Sequence, residues 1–314
     1  MRRWDTLADA HIEEYEARGI HPATIGNIQR EIERLGVWMK RRRPKPALED
    51  IDSDLLIRYI QDRTTFKSKS TIYSIMSRMR GFGDFLVREG VWLDNPMKWI
   101  KGPKITPYHR MPKRIDTKDM KVLWQAAAAS GAGRSTYRKH LGITVLSLLY
   151  GTGLRRGELQ RLDVTDWNRE DGTLRIDGRK TGRERCVAAP SIVYHCIETY
   201  LPHRHNHLEQ HGRLEQPALF VSKSGQRLAE QSISNLVHRT AKQAGMKLHS
   251  LHQFRHTCAS DMLAAGVPVP EVQQTLGHAT VATTMRYLHI ADPERHEAIQ
   301  QHPINDWLTT EVFA

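Results

Sequence analysis

Cysteine is scarce in this 314-residue chain. There are three, Cys186, Cys196 and Cys258, an odd number with no CxxC spacing. That argues against a disulfide framework and a four-cysteine zinc site, and it fits a reducing cytosol. Long apolar runs are missing too. The longest uncharged stretch, residues 141–154, falls short of the ~20 residues a membrane span needs. The opening MRRWDTLADAHIEEYEARG sets two arginines before an acid-studded amphipathic pattern, without the apolar core of a secretory signal. No GxxxxGK[ST] run is present, so P-loop ATP hydrolysis is not expected. Carboxylates suited to Mg²⁺ are few: Asp163, Asp166 and Glu158 lie close together but among arginines. Metal-dependent hydrolysis, which needs clustered carboxylates, is therefore disfavoured. The sequence shows no internal repeat and no low-complexity tract.

Positive charge is abundant. Lys and Arg number 47 against 35 Asp and Glu, a net charge of +12. Residues 1–114 carry 23 basic and 15 acidic side chains, a net +8; residues 115–314 carry 24 and 20, a net +4. Such a balance suits a polyanionic partner, and it also serves plain solubility.

Residues 6 to 90 read as four helices. Ile25, Ile28, Ile32, Leu35 and Met39 follow the three-four spacing of one helix face. Ser53 is the expected N-cap of a helix carrying Leu56, Tyr59 and Ile60. A longer helix aligns Ile72, Ile75, Met76, Met79, Phe82 and Phe85, with Gly90 as its C′ residue. Residues 101–114 hold three prolines, a glycine, five basic groups and no acid, the composition of an extended linker.

Beyond the linker, Thr117 is an expected cap, and Leu141, Val145, Leu148 and Leu149 mark an apolar helix stopped by Gly151 and Gly153. Asp171-Gly172 signals a hairpin, Leu174 and Ile176 alternate as in a half-buried strand, and residues 186–188 return the chain. Helices resume over 191–211, 232–245, 252–265 and 270–289, with a short strand expected at 219–221. The fold class is thus mainly α with a small antiparallel β-sheet (α+β). The domains read as 1–100 helical, 101–114 basic linker, 115–290 second domain and 291–314 C-terminal tail.

Cationic groups gather near turns and helix starts. Arg155 follows Gly-Thr-Gly-Leu at a helix start, where backbone N–H groups already favour an anion. His252 and Arg255 are spaced i, i+3 on one helix face. His278 follows Leu-Gly, and Tyr287 stands nine residues later. Taken singly, these residues also fit ordinary roles: an arginine capping its own turn, a structural histidine, a packing tyrosine. His203, His205, His207 and His211 include i, i+4 pairs with metal-ligand spacing, but their polar setting reads as a solvated helix end. Cys258 reads as a small core residue.

The order of the set is more specific than its members. GTGLRRGEL, a hairpin with Lys180, HQFRH, LGH and a tyrosine nine residues on resemble the tyrosine recombinase (phage integrase) family over residues 115 to 290. The resemblance identifies Arg155, Lys180, His252, Arg255, His278 and the nucleophile Tyr287 as catalytic, with Glu158 supporting Arg155. Arg156 competes with Arg155 for its place, and Arg179 and Arg183 compete with Lys180. Tyr137 and Tyr150 fit no motif. The resemblance implies a two-domain C-shaped DNA clamp, a helical SAM-like N-terminal domain that binds DNA, and a catalytic domain. It implies cutting and rejoining of double-stranded DNA at a specific site through a 3′-phosphotyrosine and a Holliday junction. His252 would accept the tyrosine's proton and Lys180 would act as general acid. No cofactor, metal or ATP is implied. The implied partners are DNA and either a homotetramer on two sites or a second tyrosine recombinase, with no membrane. The tail's Ile299, Ile304, Trp307, Leu308, Val312 and Phe313 would dock on a neighbouring protomer. DNA contacts are assigned provisionally to Lys67, Lys69, Arg78, Lys101, Lys104, Arg110, Lys113, Arg114, Arg239 and Lys242. The expected site of action is the bacterial cytoplasm, at the nucleoid. The lack of a further arm-binding domain before the helical one favours the simpler Xer-like type. A type IB topoisomerase and a non-cutting DNA-binding protein are the competing readings.

Overall fold

Apolar side chains three and four residues apart build the first part of the chain. In the computed structural model, which describes residues 2–65, 67–104, 114–129, 136–178 and 184–288, the chain forms two compact units. They comprise Met1–His109 and Arg110–Ala314.

The first unit consists of α1 (Arg2–Ala17), α2 (Pro22–Lys40), α3 (Ser53–Thr64) and α4 (Lys69–Arg88). The stripe of Ile25, Ile28, Ile32, Leu35 and Met39 on α2 is buried throughout. Its Ile28, Ile32, Leu35 and Met39 meet Leu56, Tyr59 and Ile60 of α3 and Ile75, Met76, Met79, Phe82 and Phe85 of α4 in one core. The cap of α3 lies one residue earlier than expected. Asp52 has the extended backbone a cap requires, and its carboxylate accepts from the Leu55 N–H at 2.8 Å. Ser53 is instead the first helical residue, and its hydroxyl donates to the Pro96 carbonyl. Gly90 ends α4 at φ +68°, as a C′ glycine does.

The second unit is built on α5 (Thr117–Ala129), α6 (Thr136–Gly151), α7 (Arg156–Arg161), α8 (Ser191–Gln210), α9 (Glu230–Gln243), α10 (His252–Ala264), α11 (Val269–Leu276) and α12 (Val281–Leu288). Helix α6 is its centre, with Leu141, Thr144, Val145, Leu146, Ser147, Leu148 and Leu149 all buried. A helix apolar on all sides must be covered on all sides, and α5, α8, α9 and α10 cover it. Thr117 is the first residue of α5 rather than its cap.

Between α7 and α8 lies a three-stranded antiparallel sheet, β1 (Trp167–Asn168), β2 (Thr173–Ile176) and β3 (Arg185–Ala188), in that order. The Asp171-Gly172 signal is the β1–β2 turn, with Gly172 at φ +62°. Register sets Leu174 between Trp167 and Val187, all buried on one face. The strand expected at 219–221 is absent as such. Ala218 and Val221 make only isolated bridges, to Asp163 and Arg227; the Tyr200 and Tyr137 hydroxyls take the carbonyls of Leu219 and Val221, and Arg204 holds the chain just before them. That guanidinium donates to the carbonyls of Ala218 and Gln216. Residues 105–113, Lys180 with Arg179 and Arg183, and 291–314 lie outside the described residues, and with them Arg110, Lys113 and the tail's six apolar residues.

Candidate active site

The C-terminus of α11 organises the site. The last carbonyls of a helix have no intrahelical partner and carry the negative end of its dipole. Here three successive carbonyls each accept from an arginine of a different element. Arg185 of β3 donates to Thr275 at 3.0 Å, Arg255 of α10 to Leu276 at 2.5 Å, and Arg155, the N-cap residue of α7, to Gly277 at 3.3 Å. Gly277 turns the chain at φ +63°. Its missing Cβ makes room for Arg185: a methyl there would stand 2.8 Å from that guanidinium. Gly153 acts similarly in the loop before α7. At φ +60° it leaves space for Leu276, and its carbonyl accepts from Arg255 at 2.8 Å.

Glu158 holds the second side of the arginine cluster. Its Oε1 accepts from Arg155 at 2.7 Å and Arg185 at 3.1 Å. Its Oε2 accepts from the Arg155 backbone N–H at 2.8 Å and from Arg185 at 3.0 Å. Burial pushes this carboxyl up, but the bonds and charge of Arg185, with the backbone N–H and charge of Arg155, outweigh it and hold it down to about 2. Three guanidiniums against one carboxylate leave a surplus of two positive charges. Arg255, 1 % exposed, shows the strain of this: burial and then the charge of Arg155 lower it to about 10. An arriving anion would relieve that repulsion.

The neighbouring Arg156 turns away, pairing with Glu230 and Ser234 of α9. Of the two neighbouring arginines, Arg155 is the one that joins this cluster.

Tyr287 on α12 is buried, 3 % exposed, among three histidines. His278, just past Gly277, stacks on it with centroids 6.1 Å apart and planes at 12°. The His278 Nδ1 is 2.9 Å from the hydroxyl of buried Thr284, which fixes the ring. The Nδ1 of His256 lies 2.7 Å from the Tyr287 hydroxyl. His252, one turn before, sets its ring edge-on to His256 at 4.7 Å. All three rings are held below the usual histidine pKa. Burial comes first, then Arg255 and Arg155 for His278, to about 3; His252 and Arg255 for His256, to about 4; and Arg255 and Arg155 for His252. They are neutral at pH 7.

The sequence reading made His252 the partner of the tyrosine, whereas the ring bonded to its hydroxyl is His256. Neither His256 nor Arg185 was singled out there. His256 adjoins Arg255 in HQFRH, and Arg185 ends the GRER run; only the tertiary contacts reveal them.

The remaining tyrosines and cysteines find other duties. Tyr150 donates to Asp261 at 2.7 Å and is pushed up to about 12, by burial first and then Asp261. Tyr137 donates to the Val221 carbonyl. Cys258 is packed in the core beside Tyr287, and burial raises its thiol to about 12. Of the histidine row on α8, His203 and His207 are half-buried rather than solvated. His207 stacks on Tyr137 at 4.1 Å and His203 on His140 at 4.3 Å, because aromatic rings of α6 face them. No group of three or more metal-ligating side chains occurs among the described residues.

Of the residues assigned to DNA, Lys67, Lys69, Lys101, Lys104, Arg239 and Lys242 are exposed and Arg78 is half-buried. Arg114 pairs with Asp261 at 2.6 Å. Among the described residues no helix is long and apolar enough to cross a membrane.

Residues 113–294 match the phage integrase family. The tyrosine recombinase XerC of Pelobacter propionicus is 30% identical over 279 residues, 87% of each chain. That of Pseudomonas syringae pv. syringae is 28% identical over 293 residues, 90% of this chain and 92% of the other. Among solved structures, the XerH site-specific recombinase in its post-cleavage complex with palindromic difH substrate superposes with a TM-score of 0.72. It shares 19% identity and covers 91% of this chain and 81% of its own. A lambda integrase tetramer bound to a Holliday junction gives 0.70 at 18% identity, over 90% and 76%. The chain belongs to the phage integrase family, the tyrosine recombinases, and is a site-specific recombinase.

Proposed function

We propose that this protein cuts and rejoins double-stranded DNA at a specific site through a 3′-phosphotyrosine, without metal or ATP, to integrate, excise or resolve a mobile element or replicon dimer. The observation that carries the reading is the paired anchoring of Arg155 and Arg255 on consecutive carbonyls, Gly277 and Leu276, directly before His278. Two guanidiniums with surplus charge suit the nonbridging oxygens of a phosphodiester, whose transition state gathers further negative charge there.

In this mechanism Tyr287 attacks phosphorus. An ordinary tyrosine has a pKa of ~10, so it needs a proton acceptor and nearby cations. His278, with Nδ1 on Thr284, offers its Nε2 to a nonbridging oxygen, and His252 flanks the same anion. Lys180, in the connection between β2 and β3, protonates the 5′ oxygen as it leaves. The tyrosyl ester conserves the bond energy, so a 5′-hydroxyl from a second duplex can reverse the step.

Exchange between two duplexes calls for a tetramer on two sites, or a heteromer with a second tyrosine recombinase, passing through a Holliday junction. Residues 291–314 would dock on the neighbouring protomer. Both units would contact the duplex, with Lys67, Lys69, Lys101, Lys104, Arg110, Lys113, Arg239 and Lys242 on its backbone and Arg78 and Arg114 in lesser roles. The XerC relatives are bacterial, which supports a site of action in the bacterial cytoplasm, at the nucleoid.

The test is a nicked duplex that traps the covalent complex, in EDTA and without ATP. The protein should yield a slow-migrating adduct that Tyr287→Phe lacks. Relaxation of supercoils without strand exchange would favour a topoisomerase, and site binding with no adduct a non-cutting protein.

A further inference from the structure

We infer that Asp261 of α10 is a positioning residue for DNA cleavage. It fastens two segments, the one leading to Arg155 and the one entering the second unit, onto the helix that carries His252 and Arg255. This rests on the recombinase reading. The two carboxylate oxygens of Asp261 take different partners. Its Oδ2 accepts from the Tyr150 hydroxyl at 2.7 Å, and its Oδ1 pairs with the Arg114 guanidinium at 2.6 Å. Asp261 lies near the far end of α10 from His252, roughly 13 Å along the axis at 1.5 Å per residue. It therefore acts on the chemistry through its partners.

Tyr150 is the first partner. It is the penultimate residue of α6, and the loop that follows it leads to Arg155. That loop is already bonded to α10 once, where the Gly153 carbonyl accepts from Arg255. One bond leaves the loop free to pivot, and the bond from Tyr150 to Asp261 is a second point that sets its angle. The Tyr150 ring also packs against the small cluster of Cys258, Leu276 and Tyr287, and stands edge-on to Trp124 of α5 at 6.0 Å. Burial first, and then Asp261, push its hydroxyl up to about 12, so it stays protonated and remains a donor.

Arg114 is the second partner. It ends the basic segment 101–114, and the next residue, Ile115, is already buried in the core of the second unit. Both residues bond to one face of α10. The Ile115 N–H donates to the hydroxyl of Thr257 at 2.9 Å, one turn before Asp261. That hydroxyl, 1 % exposed, donates in turn to the Gln253 carbonyl at 2.8 Å. The Arg114–Asp261 pair is partly shielded, with side chains 39% and 25% exposed, so solvent screens it less than a fully exposed pair. The guanidinium of Arg114 is thus committed to α10 rather than to a phosphate.

The test is single-turnover cleavage of the nicked duplex at saturating protein, measured beside site affinity and its salt dependence. Asp261→Ala, Tyr150→Phe and Arg114→Gln should each slow cleavage by ~10-fold, within the ~10²-fold that a ~1 Å misplacement of reacting groups can cost. Site affinity should stay at the wild-type value, so the loss falls on the rate and not on binding. Asp261→Asn, whose amide oxygen still accepts from Tyr150, should recover part of what Asp261→Ala loses. Arg114→Lys, which keeps the cation, should cleave as the wild type does. Tyr150→Phe combined with Asp261→Ala should be no slower than Asp261→Ala alone, because the two act through one bond. The salt slope of Arg114→Gln should not change, whereas loss of a phosphate contact would reduce it by about 0.9. Melting curves show which variants fold, and Tyr150→Phe, which removes one oxygen atom, decides the matter if Asp261→Ala unfolds. Wild-type cleavage rates in folded Tyr150→Phe and Arg114→Gln, or losses confined to affinity and salt slope, would overturn the assignment. Should the wild type itself give no adduct on a duplex it binds, the recombinase reading fails first and this inference with it.

Discussion

The guanidinium of Arg185 lies fork to fork on the carboxylate of Glu158, at 3.1 and 3.0 Å, with both side chains almost wholly buried. The pair joins β3 to α7, 27 residues apart in sequence, and sets the oxygen that receives Arg155. The strand that follows the Lys180 connection is thereby tied to the anion cluster.

Removing one partner of a buried ion pair leaves the other uncompensated, at a cost of about 3–5 kcal/mol. Arg185→Ala should lose that much stability in urea unfolding. Glu158→Gln should cost less, keeping the volume, yet slow cleavage because Arg155 loses its anchor. In the double variant the loss should be smaller than the sum of the two. Additive losses would show that the fork is not coupled.

Gly277→Ala tests the α11 corner. A left-handed backbone costs a non-glycine residue roughly 1–2 kcal/mol, and the added methyl would press on Arg185. Stability should fall by at least that amount, and cleavage should fall with it as the arginines shift. Unchanged cleavage in a folded variant would detach the corner from catalysis.

Much of this was legible in the sequence, for reasons that differ by element. The stripe of Ile25, Ile28, Ile32, Leu35 and Met39 is local, so periodicity alone shows the buried face of α2. Arg155, His252, Arg255 and Tyr287 were legible through the order of their motifs, and the structure brings them to α7, α10 and α12 around one corner. Arg185 and His256 were not. Their meaning lies in contacts with Glu158 and with Tyr287, 31 residues from His256, and no local pattern announces such contacts. The short strand expected at 219–221 fails because alternation cannot show that the Tyr200 and Tyr137 hydroxyls take up its Leu219 and Val221 carbonyls.

In the first unit His11 is an acid-sensitive point. It is 1 % exposed among Tyr15, Phe82 and Phe85, and neither ring nitrogen has a hydrogen-bond partner among the described residues. Burial lowers it to about 4, with Glu14 opposing and Arg88 and Arg18 assisting. Above pH 6.5 both the folded and unfolded forms are neutral. Between pH 6.5 and about 4 only the unfolded form takes the proton, so stability falls as pH falls. The unit's melting temperature should drop across this window, and His11→Leu should flatten the drop. A variant with the wild-type slope would place the acid sensitivity elsewhere.

Arg239 and Lys242, exposed at i, i+3 on α9, test the DNA surface. Each phosphate contact contributes about 0.9 to the slope of log affinity against log salt. Arg239→Ala with Lys242→Ala should reduce the slope by about 2 and weaken all sequences alike. An unchanged slope would remove α9 from the DNA surface.

The central claim is that Tyr287 is the nucleophile, and mass spectrometry of the trapped adduct tests it most directly. Trypsin cleaves after Arg286 and Arg295, so residues 287–295 leave as one peptide that holds no other tyrosine, serine or threonine. After nuclease trimming, that peptide should carry the mass of a nucleotide phosphate on Tyr287. The same mass on any other peptide, or an adduct that persists in Tyr287→Phe, would contradict the account.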